Sequence, residues 1–111
     1  MSENERRKAL NEVVFREVNE RIEALQATFA VTEGLPLNLV CECDRLECAD
    51  QLSVHVDVYE KIRSDATLFF VRPGHEDETV EDVVDTGGDY MIVRKRPGDP
   101  QDVAELTDPR S

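Results

Sequence analysis

Residues 37–48 have the sequence LNLVCECDRLEC, in which a short apolar run leads directly into three cysteines. The apolar part is predicted to form a strand that enters the cysteine cluster. In an extended chain the side chains of Cys41 and Cys43 point to the same face, so both sulfurs can reach one ion. The loop 44–47 is long enough to turn back and bring Cys48 beside them. This stretch therefore predicts a small sheet with a metal site at one end.

The three cysteines are expected to bind a zinc ion. The N-terminal sequence MSENERRKAL contains no apolar segment of the signal-peptide type, so we expect a cytoplasmic protein with reduced thiols. In that compartment, clustered cysteines are usually metal ligands or catalytic thiols. Zinc prefers a tetrahedron of sulfur and nitrogen donors, and a site closed by four protein ligands is structural. The expected cofactor is therefore Zn²⁺.

The fourth ligand must come from elsewhere in the chain, which has two histidines. His75 follows a Pro-Gly turn at the predicted end of a strand, where the backbone is free of the sheet and can be aimed at the cysteines. His55 lies in the middle of a predicted strand, on the face opposite its apolar residues, which is typical of a surface histidine. We therefore predict Cys41, Cys43, Cys48 and His75 as the metal ligands. His55, a carboxylate or a water molecule is the alternative to His75.

Acidic residues flank the cysteines in the sequence. Glu42, Asp44 and Glu47 are expected to surround the thiols, with Arg45 alone opposing them. An acidic setting disfavours the low thiol pKa that redox chemistry needs. Bound Zn²⁺ would remove that difficulty, because three thiolates and one neutral imidazole leave a single net negative charge. If the zinc were catalytic instead, Glu42 or Glu47 would be the candidate general base.

A long amphipathic helix is predicted over residues 3–30. Its apolar residues recur at intervals of three and four, which gives a single stripe at helical period. The stripe consists of Leu10, Val14, Val18, Ile22, Leu25 and Phe29. We expect the stripe to cover the sheet of the same domain. The alternative is that the helix overhangs its small domain and pairs with a second copy or with another protein.

The remaining sequence favours short strands. Residues 51–56, 67–72 and 90–94 are predicted strands, and a short helix is predicted at 58–63. The segment 80–85 fits either a strand or a helical turn. We therefore predict an α+β fold, in which a long N-terminal amphipathic helix packs on a small, mainly antiparallel sheet with a zinc knuckle.

The chain has 111 residues, which is room for one domain. We divide it into three parts. Residues 1–36 form the N-terminal amphipathic helix and turn, and residues 37–96 form the zinc-stapled α+β core. Residues 97–111, PGDPQDVAELTDPRS, contain three prolines and little to bury, so we expect a flexible acidic tail.

Four runs of the sequence resemble a set of small uncharacterised proteins that are common in actinobacteria. The runs are NEVVFREVNERIEAL at 11–25, CEC at 41–43, YEKIR at 59–63 and RPGHE at 72–76. The resemblance covers most of the chain up to the predicted last strand near Lys95. In that family the CEC, the later cysteine and the PGH travel together, which implies that Cys41, Cys43, Cys48 and His75 form one site. The resemblance implies no particular activity.

The charge balance sets the expected partners. The chain carries 25 acidic and 13 basic residues, a formal net charge of -12. Such an acidic protein repels phosphate backbones and anionic lipids, so we expect no direct binding to nucleic acid or to a membrane. No stretch approaches the roughly 20 apolar residues that a membrane helix needs. A protein partner is expected, with a homodimer through the N-terminal helix as one form of it.

The sequence carries no GxGxxG, P-loop, HExxH or GxSxG motif. We therefore expect no enzyme, and we predict a zinc-stabilised protein-interaction module that acts as an adaptor or regulator. The alternative is a thiol-based redox or zinc-release sensor. In that case oxidation would join Cys41 or Cys43 to Cys48 and eject the ion.

Overall fold

A computed structural model describes residues 2–45 and 47–110, excluding the side chains of residues 4 and 5. Along the chain its elements are α1 (Glu3–Glu33), β1 (Leu37–Val40), β2 (Gln51–Val54), α2 (Val56–Arg63), β3 (Leu68–Val71), β4 (Glu81–Thr86), β5 (Met91–Lys95) and α3 (Asp99–Leu106). A long N-terminal helix with small antiparallel sheets is an α+β fold, which confirms the predicted fold class. Within the described residues, no helix combines the length and the apolar character that crossing a membrane requires.

The strands form two antiparallel sheets. β1 pairs with β2 in one of them, and the other has the strand order β3-β5-β4. The segment that fitted either a strand or a helical turn forms β4. The two sheets meet where the backbone N–H of Glu42 donates to the carbonyl of Phe70 at 2.8 Å. The cysteine-rich loop therefore begins at the junction between the sheets.

Two apolar clusters fill the interior. The first consists of Ala30, Leu37, Leu39, Leu52, Val54, Tyr59, Leu68, Phe70 and Ile92. The second consists of Cys41, Cys43, Phe69, Val71, Val93 and Ala104. β3 contributes to both clusters because successive side chains of a strand point to opposite faces. Two of the predicted metal ligands thus belong to the core of the protein.

The face of α1 that packs on the domain is largely polar, so the prediction that the apolar stripe covers the sheet is wrong. Glu12, Arg16 and Asn19 are buried on this face. The guanidinium of Arg16 donates to the carbonyls of Ala66 and Ala104, at 2.7 and 2.8 Å. Buried carbonyls need donors, which an arginine supplies and a leucine cannot. Of the stripe, Leu10, Val14, Leu25 and Phe29 are more than half exposed, whereas Val18 and Ile22 are partly buried.

The segment predicted as a flexible tail, 97–111, instead forms α3 and packs on the core. Ala104 of this helix is buried in the second cluster. Gly98 adopts a φ of 104°, and a proline occupies the first turn of α3. Proline lacks only an N–H that has no partner inside the helix at that position, so a sequence rich in proline can still begin a helix. Ser111, the last residue of the predicted tail, lies outside the described residues.

The chain after α3 returns to the other two helices. Arg110 donates to a carboxylate oxygen of Glu60 at 2.8 Å and also pairs with Glu20. The hydroxyl of Thr107 accepts a bond from the Arg16 guanidinium at 3.1 Å. These contacts hold the C-terminal segment against both α1 and α2.

A buried carboxylate, that of Glu42, connects three elements. It is fully buried and accepts bonds of 2.6 and 2.7 Å from the guanidinium of Arg63 in α2. It also accepts a bond of 2.6 Å from the Asn19 side chain in α1 and one of 3.0 Å from the Phe70 N–H in β3. A carboxylate can be buried at tolerable cost only when it is paired and hydrogen-bonded in this way.

We predict that Glu42→Gln lowers the free energy of unfolding by about 3–5 kcal/mol, because it leaves the Arg63 guanidinium buried without a counter-charge. The measurement is urea denaturation of the metal-loaded protein, followed by circular dichroism. Glu47→Gln is the matched control, since Glu47 lies in the same loop and is exposed; its effect should stay within about 0.5 kcal/mol. Equal losses in both variants would contradict the role assigned to Glu42.

Candidate metal centre

Four potential ligands converge beside the junction of the two sheets. Cys41 and Cys43 directly follow β1, Cys48 precedes β2, and His75 follows β3. Their ligand atoms, the three sulfurs and an imidazole nitrogen, all lie within 4.8 Å of one another. Leu46, in the loop between the second and third cysteines, lies outside the described residues. The structure therefore brings together the four residues that the sequence singles out, and they could hold a metal ion.

Two of the separations within this group suit a tetrahedral site. The sulfur of Cys41 lies 3.7 Å from Nδ1 of His75, and the sulfur of Cys48 lies 3.4 Å from the same atom. With metal–sulfur bonds of about 2.3 Å and metal–nitrogen bonds of about 2.0–2.1 Å, neighbouring ligand atoms of a tetrahedron are about 3.5–3.8 Å apart. These two sulfur–nitrogen separations therefore match those of a tetrahedral site.

The two histidines have different surroundings. His55 is exposed and serves as the N-cap residue of α2, outside the ligand group. His75 has a side chain that is only 17% exposed. The turn that carries it is held by a bond of 2.9 Å from the Arg45 guanidinium to the carbonyl of Gly74. These contacts aim His75 at the sulfurs, as the argument from the Pro-Gly turn predicted.

Asp50 completes the surroundings of the imidazole. Its carboxylate lies 3.5 Å from Nε2 of His75 and 3.7 Å from the Arg72 side chain. Nδ1 faces the sulfurs, so Nε2 is the ring nitrogen on the side of this carboxylate. Histidines that bind metals usually have such a partner, which orients the ring and fixes its tautomer. No signal in the sequence identifies Asp50 for this role, because the role depends on a contact between two loops.

Each of the three sulfurs also accepts a backbone N–H. The donors are Arg72 for Cys41, at 3.2 Å, Arg45 for Cys43 and Asp50 for Cys48. Two of these donors lie two residues after the cysteine, so the bond closes a tight local turn. Backbone N–H groups stabilise the thiolate form of a cysteine. The loop is thus arranged around sulfurs that carry negative charge.

The three thiols do not ionise independently. Hydrogen bonding with Cys41 lowers the pKa of Cys43 to about 5. The same contact, together with burial, raises the pKa of Cys41. Burial also raises the pKa of Cys48. Neighbouring thiolates repel each other, so the group by itself favours one thiolate, and a bound cation would supply the charge that stabilises all three.

Glu42 does not surround the thiols, contrary to the expectation from the sequence. Its side chain points away from those of Cys41 and Cys43 and is taken up by the bonds to Arg63 and Asn19. A carboxylate with both oxygens engaged in the core cannot serve as a general base for a metal-bound water. Glu42 is therefore excluded as the general base of a catalytic zinc site.

A second group of charges lies beneath α1, beside a cavity of about 620 Å³. The ammonium of Lys95 binds Glu81 at 2.6 Å and also binds Glu12, and both carboxylates are buried. Burial raises the pKa of Glu12 to about 8 in spite of the neighbouring ammonium. His75 borders a different groove, of about 630 Å³. None of the three cysteines lines either cavity.

Comparison with protein-family models, with curated proteins and with solved structures gives no match. The resemblance to the actinobacterial proteins thus stays a prediction from the sequence. The geometry of the four side chains is the basis for the function proposed below.

We predict that His75→Ala weakens metal binding by at least about 100-fold, because it removes one of four ligands. The affinity is measured by competition with a chromogenic chelator under reducing conditions. His55→Ala is the matched control and should bind as tightly as the wild type, since His55 lies outside the ligand group. Loss of affinity in the control, or none in the His75 variant, would contradict the assignment.

Proposed function

We propose that this chain is a small zinc-stabilised protein-interaction module without catalytic activity. The observation that carries the proposal is the group of three sulfurs and one imidazole nitrogen, all within 4.8 Å of one another. A donor set rich in thiolates selects zinc over magnesium or calcium, which prefer oxygen. Four protein ligands complete the tetrahedron and leave no open position for a substrate, which is typical of a structural site.

The zinc ion would crosslink three loop segments of the chain. The ligands come from the segment after β1, the segment before β2 and the turn after β3. A domain of 111 residues buries a modest core, so a metal that crosslinks three segments contributes substantially to its stability. The ligand loop also carries Glu42, whose bonds to Arg63 and Asn19 connect it to two helices. Metal binding and the packing of the core are therefore expected to be coupled.

The exposed edge strand of the β3-β5-β4 sheet supports the proposed role in protein interaction. β4 is an edge strand of that sheet and is exposed from Asp82 to Thr86. Val83 and Val84 are 40% and 49% exposed there, among acidic neighbours. An edge strand can accept an extended segment of a partner, and the acidic charge would steer a basic one toward it. Such an adaptor would work in the cytoplasm, where its thiols stay reduced.

The test of this proposal is the metal content of untagged protein, purified under reducing conditions without added metal. We expect one zinc ion per chain. Removal of the ion by a strong chelator should lower the melting temperature by more than about 10 °C, because the binding energy is part of the folding energy. Cys48→Ser should start from a lower melting temperature and respond less to the chelator. Metal-free protein that is stably folded would overturn the proposal.

A second candidate function is a redox sensor that releases zinc. One observation favours it: Cys48 is only partly buried, and its sulfur lies within 4.8 Å of those of Cys41 and Cys43. Two thiolates would lose two electrons and form a disulfide, while hydrogen peroxide takes up two protons and becomes two molecules of water. The zinc ion, deprived of two ligands, would then leave.

For the sensor, we predict that mild hydrogen peroxide releases one zinc ion per chain, and that a dithiol reductant reverses the release. A chromogenic zinc indicator follows the reaction in solution. Cys48→Ser serves as the comparison after loading with zinc, because it removes the most accessible thiol. Retention of zinc by the wild type under these conditions would eliminate the sensor and leave the structural site intact.

A further inference from the structure

The cavity beneath α1 has the size of a small-molecule site. Residues of α1, β3, β5, α3 and the loop before β4 line it, and its volume is about 620 Å³. Ligand pockets of proteins usually have volumes of roughly 300–1,000 Å³. The candidate metal centre does not use this space, since none of the three cysteines lines it.

Much of the cavity wall is apolar. Phe69 and Ala104 are buried, Val13, Val80 and Val103 are partly buried, and all five line the cavity. A pocket of this kind accommodates the apolar body of a ligand, while a few polar groups determine its orientation.

The buried polar end of the cavity carries more negative than positive charge. Glu12 and Lys95 line the cavity and bind each other, and the ammonium of Lys95 also binds Glu81 at 2.6 Å. One ammonium therefore meets two carboxylates, and all three side chains are buried. Burial raises the pKa of Glu12 to about 8 in spite of this ammonium. An additional positive charge beside Glu12 would thus be stabilised.

One oxygen of Glu12 is available to a ligand. Its other oxygen binds Lys95, and the side chain is only 10% exposed. Both oxygens of Glu81 are engaged, by Lys95 and by the backbone N–H of Asp77 at 2.8 Å. Within the described part of the chain, the second oxygen of Glu12 accepts no hydrogen bond and is not sealed from solvent. A largely buried oxygen without a partner favours a ligand that brings a donor.

The remaining charges at the cavity favour a cation over an anion. Asp44, Asp77 and Asp99 line the cavity together with Lys8, whose ammonium lies 3.8 Å from Asp44. With the two charged groups of the buried end, four carboxylates line the cavity against two ammonium groups. Both ammonium groups already have carboxylate partners. The net charge of -12 also attracts cations to the protein as a whole.

We propose that this cavity binds a small primary ammonium ion with an apolar body. The ammonium donates to the available oxygen of Glu12, and the apolar body lies against Val13, Phe69 and Val103. The ligand supplies the positive charge that the buried end of the cavity lacks. This site is separate from the candidate metal centre, and it adds a small-molecule ligand to the proposed interaction module.

NMR titration of the full-length, zinc-loaded and isotope-labelled protein tests the proposal with three probes of similar shape. The probes are phenethylammonium, phenethyl alcohol and phenylpropionate, which are cationic, neutral and anionic. We expect phenethylammonium to shift the amide signals of Val13 and Val103 saturably, with a dissociation constant of roughly 1 mM or lower. The alcohol should bind at least about tenfold more weakly, because it lacks the charge-assisted bond. The propionate should bind more weakly still.

Glu12→Gln should weaken the binding of phenethylammonium at least about tenfold and leave that of the alcohol unchanged, because it removes the charge and keeps the shape. Glu17→Gln is the matched control, since Glu17 is an exposed residue of the same helix and does not line the cavity. The control should bind all three probes like the wild type.

A second variant tests the cavity without altering a buried charge. Ala9 lines the cavity, so Ala9→Leu should fill part of it and weaken the binding of both phenethylammonium and the alcohol. Ala24→Leu is its control, because Ala24 is an exposed residue of α1 away from the cavity. Circular dichroism and zinc content verify that each variant is folded and loaded.

Several results would overturn the proposal. Equal affinity for phenethylammonium and the alcohol would show that the cavity does not select a cation. Shifts that spread over the acidic surface without saturation would identify attraction to the net charge in place of a site. Equal losses in Glu12→Gln and Glu17→Gln, or the absence of shifts with phenethylammonium at about 20 mM, would remove the site from this cavity. The zinc proposal is tested by metal content, so the two proposals fail separately.

Discussion

The buried carboxylate of Glu42 holds the loop that carries the cysteines against three other elements of the molecule. Its bonds to Arg63 and Asn19 join the loop after β1 to two helices, and a further bond ties the loop to β3. An unpaired charge in this position would be strongly destabilising, so the surrounding donors and the carboxylate require each other. Because Glu42 stands between Cys41 and Cys43, the contacts that hold its side chain in the core also turn the two sulfurs toward the candidate metal centre.

Polar contacts attach much of α1 to the rest of the protein, beside the apolar packing of Ala30 and Ile22 in the first cluster. Arg16 and Asn19 bind backbone carbonyls of other segments, and Glu12 binds the ammonium of Lys95. Hydrogen bonds and ion pairs depend strongly on distance and angle. They therefore restrict the position and rotation of α1 more than apolar packing would. They also leave the apolar residues of the same helix on the outside. The polar attachment of the helix and the exposure of Leu10, Val14, Leu25 and Phe29 are thus two consequences of one arrangement.

The candidate metal centre combines groups that differ in exposure. Cys41 and Cys43 are buried in an apolar cluster, whereas Cys48 and His75 lie closer to the surface. The two buried sulfurs connect the candidate site to the core. Cys48 and His75 supply the remaining two ligand atoms on its outer side. A structural zinc site would use all four in the same way, while a sensor would act through the more accessible thiol. Both proposed functions therefore arise from the same geometry, and they differ in how readily the outer ligands leave.

The sequence by itself determined the class of fold, the helices and strands of most segments, and the set of residues that could hold a metal. Those inferences depend on periodicity, on the spacing of Cys41 and Cys43, and on the Pro-Gly turn before His75, which are local properties of the chain. Only the tertiary structure decided which face of α1 is buried and that the C-terminal segment packs. Arg16 illustrates the reason, because its guanidinium binds the carbonyl of Ala104, 88 residues away in the sequence. A local pattern shows where a side chain can point, but its burial depends on partners that only folding brings near.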